Sequence, residues 1–418
     1  MASAPAQSQK CNRSVVSIPK YRPPPMIKGC GFLSRDYRNR GRIAEEEYMD
    51  QRISGTKVIT FAGAFIAFLI GSGFATGQEI LQYFTSYGYW GIAGALVVMI
   101  LLIYIVVAFI TVGYQEKFEK PSDIFAYFCG KPLGMFFDFF SIIFIYMSFM
   151  VMIAGAGATL NEHFQLSPMA GGIGMAILVM ITVCLGLNRL VEVIGVIGPV
   201  IVVLSIALGL SAILKRPEGI AEGNALLPTL ELKTASTNWL FAAGSYVGFC
   251  MLWLATFMAA MGATANSRKE AALGGALGAV AFSAAVIIVA LGLLANIAQV
   301  NGTEIPSLYL AHNLHPLLAT GFSLIIFAGI YTTAVPLLWT VVARFTKEKS
   351  SNFVILTVVL TAIGTFIGLR VPFSTMVNIV YVINGYVGVL LLVLMLVKTL
   401  AGKAKGPPPE WIARLGRG

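Results

Sequence analysis

Residues 71–79 read Gly71-Ser72-Gly73-Phe74-Ala75-Thr76-Gly77-Gln78-Glu79, and they interrupt a long hydrophobic run that begins near Lys57. Three glycines, two hydroxyl groups, an amide and a carboxyl group are foreign to an ordinary membrane-spanning helix. Backbone that leaves the helical conformation at membrane depth is tolerated only where protein or a watery cavity satisfies its N–H and C=O groups. The stretch therefore predicts a broken helix and a binding site inside the membrane.

The composition of the chain is that of an integral membrane protein. Of the 418 residues, 57% are hydrophobic and only 11% are charged, whereas a soluble globular domain carries about 25% charged residues. Runs of about 20 apolar residues are long enough to span a bilayer. They predict ten transmembrane helices, roughly at 57–84, 89–113, 134–160, 169–187, 190–214, 238–262, 271–299, 318–344, 352–369 and 374–398.

The distribution of Lys and Arg predicts the orientation of these helices. With the N-terminus in the cytoplasm, 25 of the 29 basic residues fall on the cytoplasmic side, and four, Lys215, Arg216, Lys233 and Arg370, fall outside. Without residues 1–48 the counts are still 16 and four. This asymmetry follows the positive-inside rule and predicts a multi-pass cell-membrane protein with both termini in the cytoplasm. It also explains the net charge of +10 without a nucleic-acid partner.

The two ends of the chain differ from its membrane part. Residues 1–48 are basic, contain prolines and lack apolar periodicity, which predicts a disordered tail. Met49, just before the first span, is a candidate native start, so this tail is either a true cytoplasmic segment or a misassigned extension. The ten predicted spans divide into two five-helix repeats, 55–214 and 238–398. Residues 399–418 are predicted to be a basic cytoplasmic tail.

A second glycine-rich stretch occupies the corresponding place in the second half of the chain. It reads Gly244-Ser245-Tyr246-Val247-Gly248-Phe249 and, like the first, opens with Gly-Ser. Five helices per half force the two halves into opposite orientations. Glycine-interrupted segments at matched positions of an inverted repeat indicate a transporter site, so we predict breaks in helices 1 and 6. The alternative is that the glycines permit close helix packing.

The residues around the first break also resemble a known family. Ile70-Gly71-Ser72-Gly73-Phe74 is similar to the Gly-x-Gly signature in the first helix of the amino acid–polyamine–organocation (APC) superfamily. The longer string up to Glu79, together with the stretch from Gly244 to Phe249, resembles the YkvI-like bacterial membrane proteins. The resemblance covers about 55–398. It implies an all-α polytopic membrane protein of the LeuT type, a 5+5 inverted repeat with helices 1 and 6 broken.

The resemblance implies a substrate site between the two breaks. Unwound backbone and the N–H groups of half-helices would bind an anionic group of the substrate, and small residues let a ligand approach the backbone closely. Phe144 and Tyr146 of helix 3 either cap this pocket or pack as ordinary aromatic residues. The substrate-binding residues implied are Gly71, Ser72, Gly73, Phe74 and Gln78 on one side and Gly244, Ser245, Tyr246 and Phe249 on the other.

Paired hydroxyl groups in the eighth span, Thr332 and Thr333, imply a sodium site by the same resemblance. Hard cations prefer several oxygen ligands, and the carbonyl groups of Ala67 and Ile70 would complete the set. The alternative is that each threonine bonds a carbonyl of its own helix.

Glu79 directly follows the first break, and acids buried in a membrane are usually functional. It either carries a coupling proton, gates the outer vestibule, binds a cationic substrate or lies exposed at the outer surface. No acid occurs within 67–77. This absence weighs against a monoamine cargo and favours a zwitterion or a neutral solute.

These features together predict a secondary transporter that moves a small amino-acid-like solute by alternating access, coupled to Na⁺ or H⁺. A nucleobase or neutral-heterocycle carrier is the alternative within transport, and a channel or a ligand-sensing membrane protein is possible on the same fold. We predict no enzyme and no cofactor besides the coupling ion, because the sequence contains no nucleophile, paired acid–base or phosphate-binding motif. The expected partners are a small molecule and the lipid bilayer, and the oligomeric state stays open.

Overall fold

The structure, a computed structural model, describes residues 53–185, 191–348 and 350–401. The tail predicted at 1–48 and most of the tail at 399–418 lie outside these ranges. In the described part every regular element is a helix, with 3-10 turns at Thr85–Tyr87 and Leu227–Thr229. The helices are α1 (Gly55–Leu69), α2 (Ser72–Thr76), α3 (Gln78–Tyr83), α4 (Tyr89–Glu116), α5 (Asp123–Phe164), α6 (Pro168–Leu185), α7 (Val191–Lys215), α8 (Gly219–Leu226), α9 (Trp239–Ala263), α10 (Arg268–Leu294), α11 (Ile297–Val300), α12 (Pro306–His312), α13 (Pro316–Phe345), α14 (Ser351–Gly368) and α15 (Phe373–Leu400).

Eight of the described helices are long and apolar enough to cross a membrane, namely α4, α5, α6, α9, α10, α13, α14 and α15. A ninth span is reached if Val200–Lys215 and Gly219–Thr229, which meet at an angle of 94°, are one bent segment. Helix α1 is apolar but has only 15 residues, because it ends at the predicted break. The all-α, multi-pass architecture is confirmed, and the count of ten spans stays a prediction.

The helices that carry the glycine-rich stretches lie inside the bundle. Helix α9 packs between α4 and α15, and α10 packs against α4 and α1. Helix α5 contacts α13, α6 and α15. The interior is filled largely by aromatic side chains, whereas many large apolar side chains, such as Phe366 (62% exposed) and Leu185 (79% exposed), point away from the protein. Such an apolar exterior suits lipid rather than water.

The predicted break in helix 6 is wrong. Helix α9 runs without interruption from Trp239 to Ala263. Its glycines serve close packing instead: a Cβ on Gly248 would lie 2.0 Å from the carbonyl oxygen of Gly385, and one on Gly388 would lie 1.9 Å from that of Gly248. Glycines that face each other bring the backbones of α9 and α15 together, so this stretch remains helical.

Helix α5 contains the third predicted span, which we expected over 134–160. The structure begins the helix at Asp123 and bends it at Gly130, which has φ of 78°, just before Pro132. Proline disfavours helical backbone in the residue before it and cannot donate a backbone hydrogen bond. The apolar part of α5 therefore starts close to the predicted boundary, while the preceding turn is a separate short segment.

The N-terminal end of α1 is tied to the connection between α9 and α10. Lys57 Nζ donates to the carbonyl oxygen of Thr264 and to Asn266 Oδ1, each at 2.9 Å. The backbone N–H of Ser54 donates to Glu270 Oε2 at 2.9 Å, and Glu270 also accepts from the N–H of Asn266 at 3.0 Å. These bonds therefore hold the N-terminal end of α1 against the connection between α9 and α10.

Candidate functional site

The predicted break in helix 1 is present. Helix α1 ends at Leu69, and both Ile70 (ψ 93°) and Gly71 (φ −100°, ψ −171°) are extended before α2 begins at Ser72. The N–H of Gly71 donates to the carbonyl of Leu69 at 3.0 Å. The carbonyl of Ala67 therefore lacks the donor that a continuous helix would supply.

A second discontinuity separates α2 from α3 at Gly77. This residue has φ of 81°, a left-handed conformation that glycine adopts at no steric cost. A side chain here would also lie 2.5 Å from Ser307 Oγ. The first span is thus divided twice, and its middle piece, Ser72–Thr76, is entirely buried.

Glu79 reaches back to the first break from α3. Its side chain is only 2% exposed, so the option that it lies at the outer surface is wrong. The hydroxyl of Tyr246 donates to Oε1 at 2.7 Å, and the other oxygen, Oε2, lies 2.5 Å from the position of a Cβ on Gly73. No acid occurs within 67–77 in sequence, but the Glu79 carboxyl group lies against Gly73 in space, so the argument from sequence against a monoamine cargo is weakened.

Five aromatic residues, which we call the aromatic cluster, surround Glu79 and the break. Tyr246 packs edge-on against Tyr83 at 5.3 Å between ring centroids and against Phe249 at 4.9 Å. Phe249 stacks on Tyr381 at 4.8 Å. Trp253 meets Phe249 at 5.8 Å and Tyr381 at 5.7 Å, and its ring approaches the Cβ position of Gly71 to 3.8 Å. The cluster offers both apolar faces and polar edges.

Several polar atoms in this region are buried and complete no hydrogen bond. They are Ser72 Oγ, Gln78 Oε1, Trp253 Nε1 and the hydroxyls of Tyr83 and Tyr381. The hydroxyl of Tyr381 approaches that of Ser72 without the geometry of a full hydrogen bond. An unpaired buried polar group costs about 1–3 kcal/mol, so a concentration of such groups at one place indicates a site for a polar ligand.

Thr332 and Thr333 differ in what they face. Both hydroxyls donate to the carbonyl of Gly329 at 3.0 Å on their own helix, α13. Only Thr333 also lies 3.5 Å from the carbonyl oxygen of Ile70 in the break. Of the four oxygen atoms predicted for a sodium site, those of Ile70 and Thr333 thus lie next to each other, and the Ala67 carbonyl lies in the last turn of α1 before the break. The structure shows no such contact for Thr332.

Gln78 lies between the break and a small pocket of about 100 Å³, which we call the outer pocket because it lies on the side that the sequence predicts to be outside. The pocket is closed by a set of hydrogen bonds that converge on Ser374, which we call the outer network. Lys233 Nζ donates to Ser374 Oγ at 2.7 Å, and Glu304 accepts from the N–H and hydroxyl of Ser374 at 2.6 and 2.9 Å. Gln82 Nε2 donates to the Ser374 carbonyl at 2.8 Å.

Three predicted substrate-binding residues have their main contacts away from Glu79 and the break. Phe74 packs against Phe282 of α10 at 5.3 Å between ring centroids. The hydroxyl of Ser245 donates to the carbonyl of Val382 at 3.4 Å, and the nearest side chain to a Cβ on Gly244 is Val389 at 3.8 Å. Gly244 therefore faces α15, and Ser245 contacts α15 while its hydroxyl also comes close to the Tyr83 hydroxyl of the aromatic cluster. Tyr246, on another side of the same helix, faces Glu79.

The two aromatic residues of the third predicted span, which is α5 in the structure, face different neighbours. Phe144 stacks on Trp253 at 5.4 Å with an interplanar angle of 10°, so it extends the aromatic cluster. Tyr146 donates to the carbonyl of Leu360 at 2.8 Å and faces α14. Only Phe144 is in a position to cap a ligand beside the break.

Sequence reasoning missed Tyr381, Trp253 and the outer network. A signal was present on α15, where Ser374, Asn378, Tyr381 and Gly385 follow one another at intervals of four, three and four residues. This spacing places them on one face of a helix. A stripe of polar and small residues in an otherwise apolar span marks the face that looks into the bundle.

Comparisons of the sequence support the predicted resemblance. No family model matches the chain. The uncharacterised membrane protein YkvI of Bacillus subtilis (strain 168) is 23% identical over 352 residues, which cover 81% of this chain and 94% of YkvI. The uncharacterised protein YyaD of the same strain is 29% identical over 119 residues, which cover 28% of this chain and 32% of YyaD.

Comparisons of the structure identify the fold. MhsT in complex with L-phenylalanine matches with a TM-score of 0.59 and 17% identity over 84% of this chain and 90% of MhsT. A mutant of the manganese transporter of Eremococcus coleocola matches with a TM-score of 0.51 and 14% identity over 86% and 90% of the two chains. A transporter among these neighbours agrees with the prediction that the chain is not an enzyme. The chain is therefore a multi-pass membrane protein of the LeuT-type fold that is similar to YkvI along most of its length.

Proposed function

We propose that the chain is a secondary transporter that moves a small amino-acid-like solute across the cell membrane by alternating access. In this proposal ten spans form two inverted five-helix repeats, 55–214 and 238–398, and both termini face the cytoplasm. The site lies where α1 gives way to α2. Rocking of the helices around this break against the rest of the bundle would expose the site to each side in turn.

One observation carries the proposal, namely the break at Ile70 and Gly71 with the buried Glu79 folded over it. Irregular backbone and an acid at membrane depth are both costly. They occur together here, beside a group of unpaired polar atoms. A purely structural membrane protein has no need of this combination, whereas a solute carrier uses it to bind a polar cargo.

The surroundings of the break match the three parts of an amino acid. The first N–H groups of a helix have no intrahelical acceptor, so those of Ser72 and Gly73 are available to a carboxylate. Glu79 is placed to receive an ammonium group. Phe249 and Trp253 supply apolar ring faces for a side chain. Each of these groups lies beside the break or beside Glu79.

Two groups are candidates for the coupling ion. Sodium would bind the carbonyls of Ala67 and Ile70 and the hydroxyl of Thr333, with Thr332 as the predicted fourth ligand, since hard cations prefer oxygen. A proton would instead be carried by Glu79. The approach of Thr333 to Ile70 supports the first candidate, and the complete burial of Glu79 supports the second.

The first experiment is the thermal stability of the purified full chain against a panel of amino acids, nucleobases and amines, each in Na⁺ and in K⁺ at two pH values. A ligand present at 100 times its Kd stabilises the native state by about 2.7 kcal/mol. We expect an amino acid to raise the melting temperature. Uptake of that compound into liposomes containing the protein then separates a carrier from a sensor, which binds without transport.

Two substitutions separate the coupling ions. If sodium couples, Thr333→Ala abolishes the sodium dependence of binding. Glu79→Gln then weakens binding, because it removes the group proposed to receive the ammonium, but the remaining binding still differs between Na⁺ and K⁺. If a proton couples, Glu79→Gln abolishes the pH dependence and Thr333→Ala does not. Thr340→Ala is the matched control on α13, because Thr340 bonds only the carbonyl of Pro336 in the same helix. Binding that is unchanged in both test variants would contradict both ion assignments.

A carrier of nucleobases or other neutral heterocycles is the second candidate. The parallel rings of Phe249 and Tyr381, which lie at 4.8 Å with an interplanar angle of 20°, favour planar solutes. In the same panel this candidate predicts stabilisation by a nucleobase and none by amino acids. Stabilisation by amino acids alone would exclude it.

A further inference from the structure

A wide cavity lies on the outside of the bundle, between α6 and α14. It has a volume of about 710 Å³ and is lined by apolar side chains of α6 from Met169 to Met180, by the α14 residues from Val358 to Phe366, among them Thr361 and Thr365, and by Leu369 just after α14. Arg370 lies at one end. We call it the α6–α14 groove, and it is separate from the site around Glu79.

The length of the groove matches one leaflet of a bilayer. Met169 and Met180 are eleven residues apart on one helix, which corresponds to about 16 Å at about 1.5 Å per residue. The hydrocarbon core of a bilayer is about 30 Å thick, so one leaflet contributes about 15 Å. An acyl chain that enters at Arg370 therefore has room to run along the groove to the middle of the membrane.

Arg370 differs from the other basic residues on the predicted outer side. Lys215 donates to the Asn313 carbonyl at 3.0 Å, and Arg216 pairs with Glu222 at 2.7 Å. Lys233 belongs to the outer network. Within the described ranges Arg370 has no acceptor for its guanidinium, which instead lies over the ring of Phe366 at 4.6 Å. Its charge is therefore available to an anionic group at the mouth of the groove.

A second polar group of the groove also lacks a partner. Thr357 and Thr361 donate to carbonyls four residues earlier on α14, each at 2.7 Å. Thr365, one turn further, lines the groove, but its hydroxyl is buried and bonds no described group. It lies roughly one turn of helix from Arg370, below it in the direction of the membrane centre. An ester carbonyl just below a phosphate would meet this hydroxyl.

We propose that the α6–α14 groove binds one phospholipid of the outer leaflet, with its phosphate on Arg370, an ester oxygen on Thr365 and one acyl chain along the apolar walls. The guanidinium is suited to phosphate because its planar donors match two phosphate oxygens at once. The proposal does not depend on what the protein transports.

The test is native mass spectrometry of the purified full chain in detergent, titrated with phosphatidylglycerol or with diacylglycerol of the same acyl chains. We expect saturable binding of one phosphatidylglycerol. Arg370→Gln should weaken it about fivefold, which corresponds to about 1 kcal/mol for one basic side chain near an anionic headgroup. Diacylglycerol, which lacks the phosphate, should bind the wild type and Arg370→Gln equally. Arg216→Gln is the matched control and should bind as the wild type does.

A second variant tests the apolar walls. Ala362 is exposed and lines the groove, so Ala362→Phe fills it while leaving an apolar surface toward the membrane. We expect this change to reduce phosphatidylglycerol and diacylglycerol binding alike. Val354→Phe, at an exposed position of α14 outside the groove, should have no effect.

Three results would overturn the proposal. One is equal phosphatidylglycerol binding by the wild type and Arg370→Gln, and another is full binding by Ala362→Phe. The third is a spectrum in which the groove is covered by a second copy of the chain, seen as a dimer that Ala362→Phe dissociates and that excludes lipid.

Discussion

At the scale of single residues, the site depends on Gly73, Glu79 and Tyr246. The carboxyl group lies against the backbone at Gly73 because no side chain occupies that space, and the Tyr246 hydroxyl fixes one of its oxygens at 2.7 Å. The first contact joins residues six apart in sequence, whereas the second joins Glu79 to Tyr246 in the second half of the chain. The position of the acid is therefore set jointly by a missing side chain and by a distant donor.

Gly73→Ala should displace the Glu79 carboxyl group, because the added Cβ would lie 2.5 Å from Oε2 and 3.1 Å from the Tyr381 ring. We expect ligand binding to weaken at least tenfold, which corresponds to about 1.4 kcal/mol. Isothermal titration of the purified protein measures this change. Gly321→Ala is the control, because no atom lies within 4 Å of a Cβ there. Equal affinity in both variants would show that the carboxyl position is unimportant for binding.

Tyr246→Phe should be energetically coupled to Glu79→Gln. Hydrogen bonds to charged groups contribute about 1.5–3 kcal/mol, and a double-mutant cycle isolates the pairwise part. We expect a coupling energy of about 1–2 kcal/mol in chemical unfolding. Tyr331→Phe, which removes a remote hydroxyl bonded to Thr182 at 2.7 Å, should show no coupling to Glu79→Gln. Additive effects of Tyr246→Phe and Glu79→Gln would mean that the bond contributes nothing.

At the scale of helices, two similar glycine-rich stretches adopt different structures, one a break and the other a continuous helix. Gly71 lies in extended backbone between two helical pieces, whereas Gly248 lies inside continuous α9. The difference follows from the neighbours: Gly248 faces the carbonyl of Gly385, so its lack of a side chain serves packing. Glycine spacing alone does not distinguish a break from a contact between backbones.

Gly248→Ala and Gly244→Ala should therefore differ in stability. The first places a Cβ 2.0 Å from the Gly385 carbonyl, whereas the second meets only Val389 at 3.8 Å. Overpacking costs about 1–3 kcal/mol, so we expect a clear fall in melting temperature for Gly248→Ala. Gly244→Ala should equal or exceed the wild type, since alanine favours a helix. A larger loss for Gly244→Ala would indicate that α9 is interrupted there in the native protein.

At the scale of the whole molecule, the outer network joins parts of the chain that are remote in sequence. Gln82 belongs to α3, Lys233 to the connection before α9, Glu304 to the connection before α12 and Ser374 to the start of α15. Their bonds lie above Gln78 and close the small outer pocket. In the proposed function, a solute that enters from that side would have to displace the partners of Ser374.

Glu304→Ala should loosen the start of α15, because it removes the acceptor of both the N–H and the hydroxyl of Ser374. We expect faster hydrogen–deuterium exchange in residues 373–378 and no change in the middle of α9. Glu222→Ala, which removes an exposed acid paired with Arg216, serves as the control and should leave this region unchanged. Unaltered exchange in Glu304→Ala would show that the network does not hold the helix.

Sequence patterns predicted what depends on local chemistry. The apolar runs predicted the positions of most spans. The first break was predicted from Gly71, Ser72 and Gly73, because glycine and hydroxyl residues weaken a helix wherever they occur. Sequence patterns could not predict the contact of Glu79 with Tyr246 or the packing of Gly248 on Gly385. Both depend on which helices become neighbours. Tyr381 was missed for the same reason, although its polar stripe on α15 was visible.

The interruption at Ile70 and Gly71 also bears on the energetic cost of movement. Lys57 and Ser54 anchor one end of α1, and a single tight bond from Gly71 to Leu69 links its other end to α2. A change in the angle between the two pieces therefore needs rotation about the backbone torsions of Ile70 and Gly71 and does not break a series of helical hydrogen bonds. Helix α9, unbroken and locked to α15, would have to tilt as one rigid rod. We therefore expect the segment at Ile70 and Gly71 to bend more easily than continuous α9.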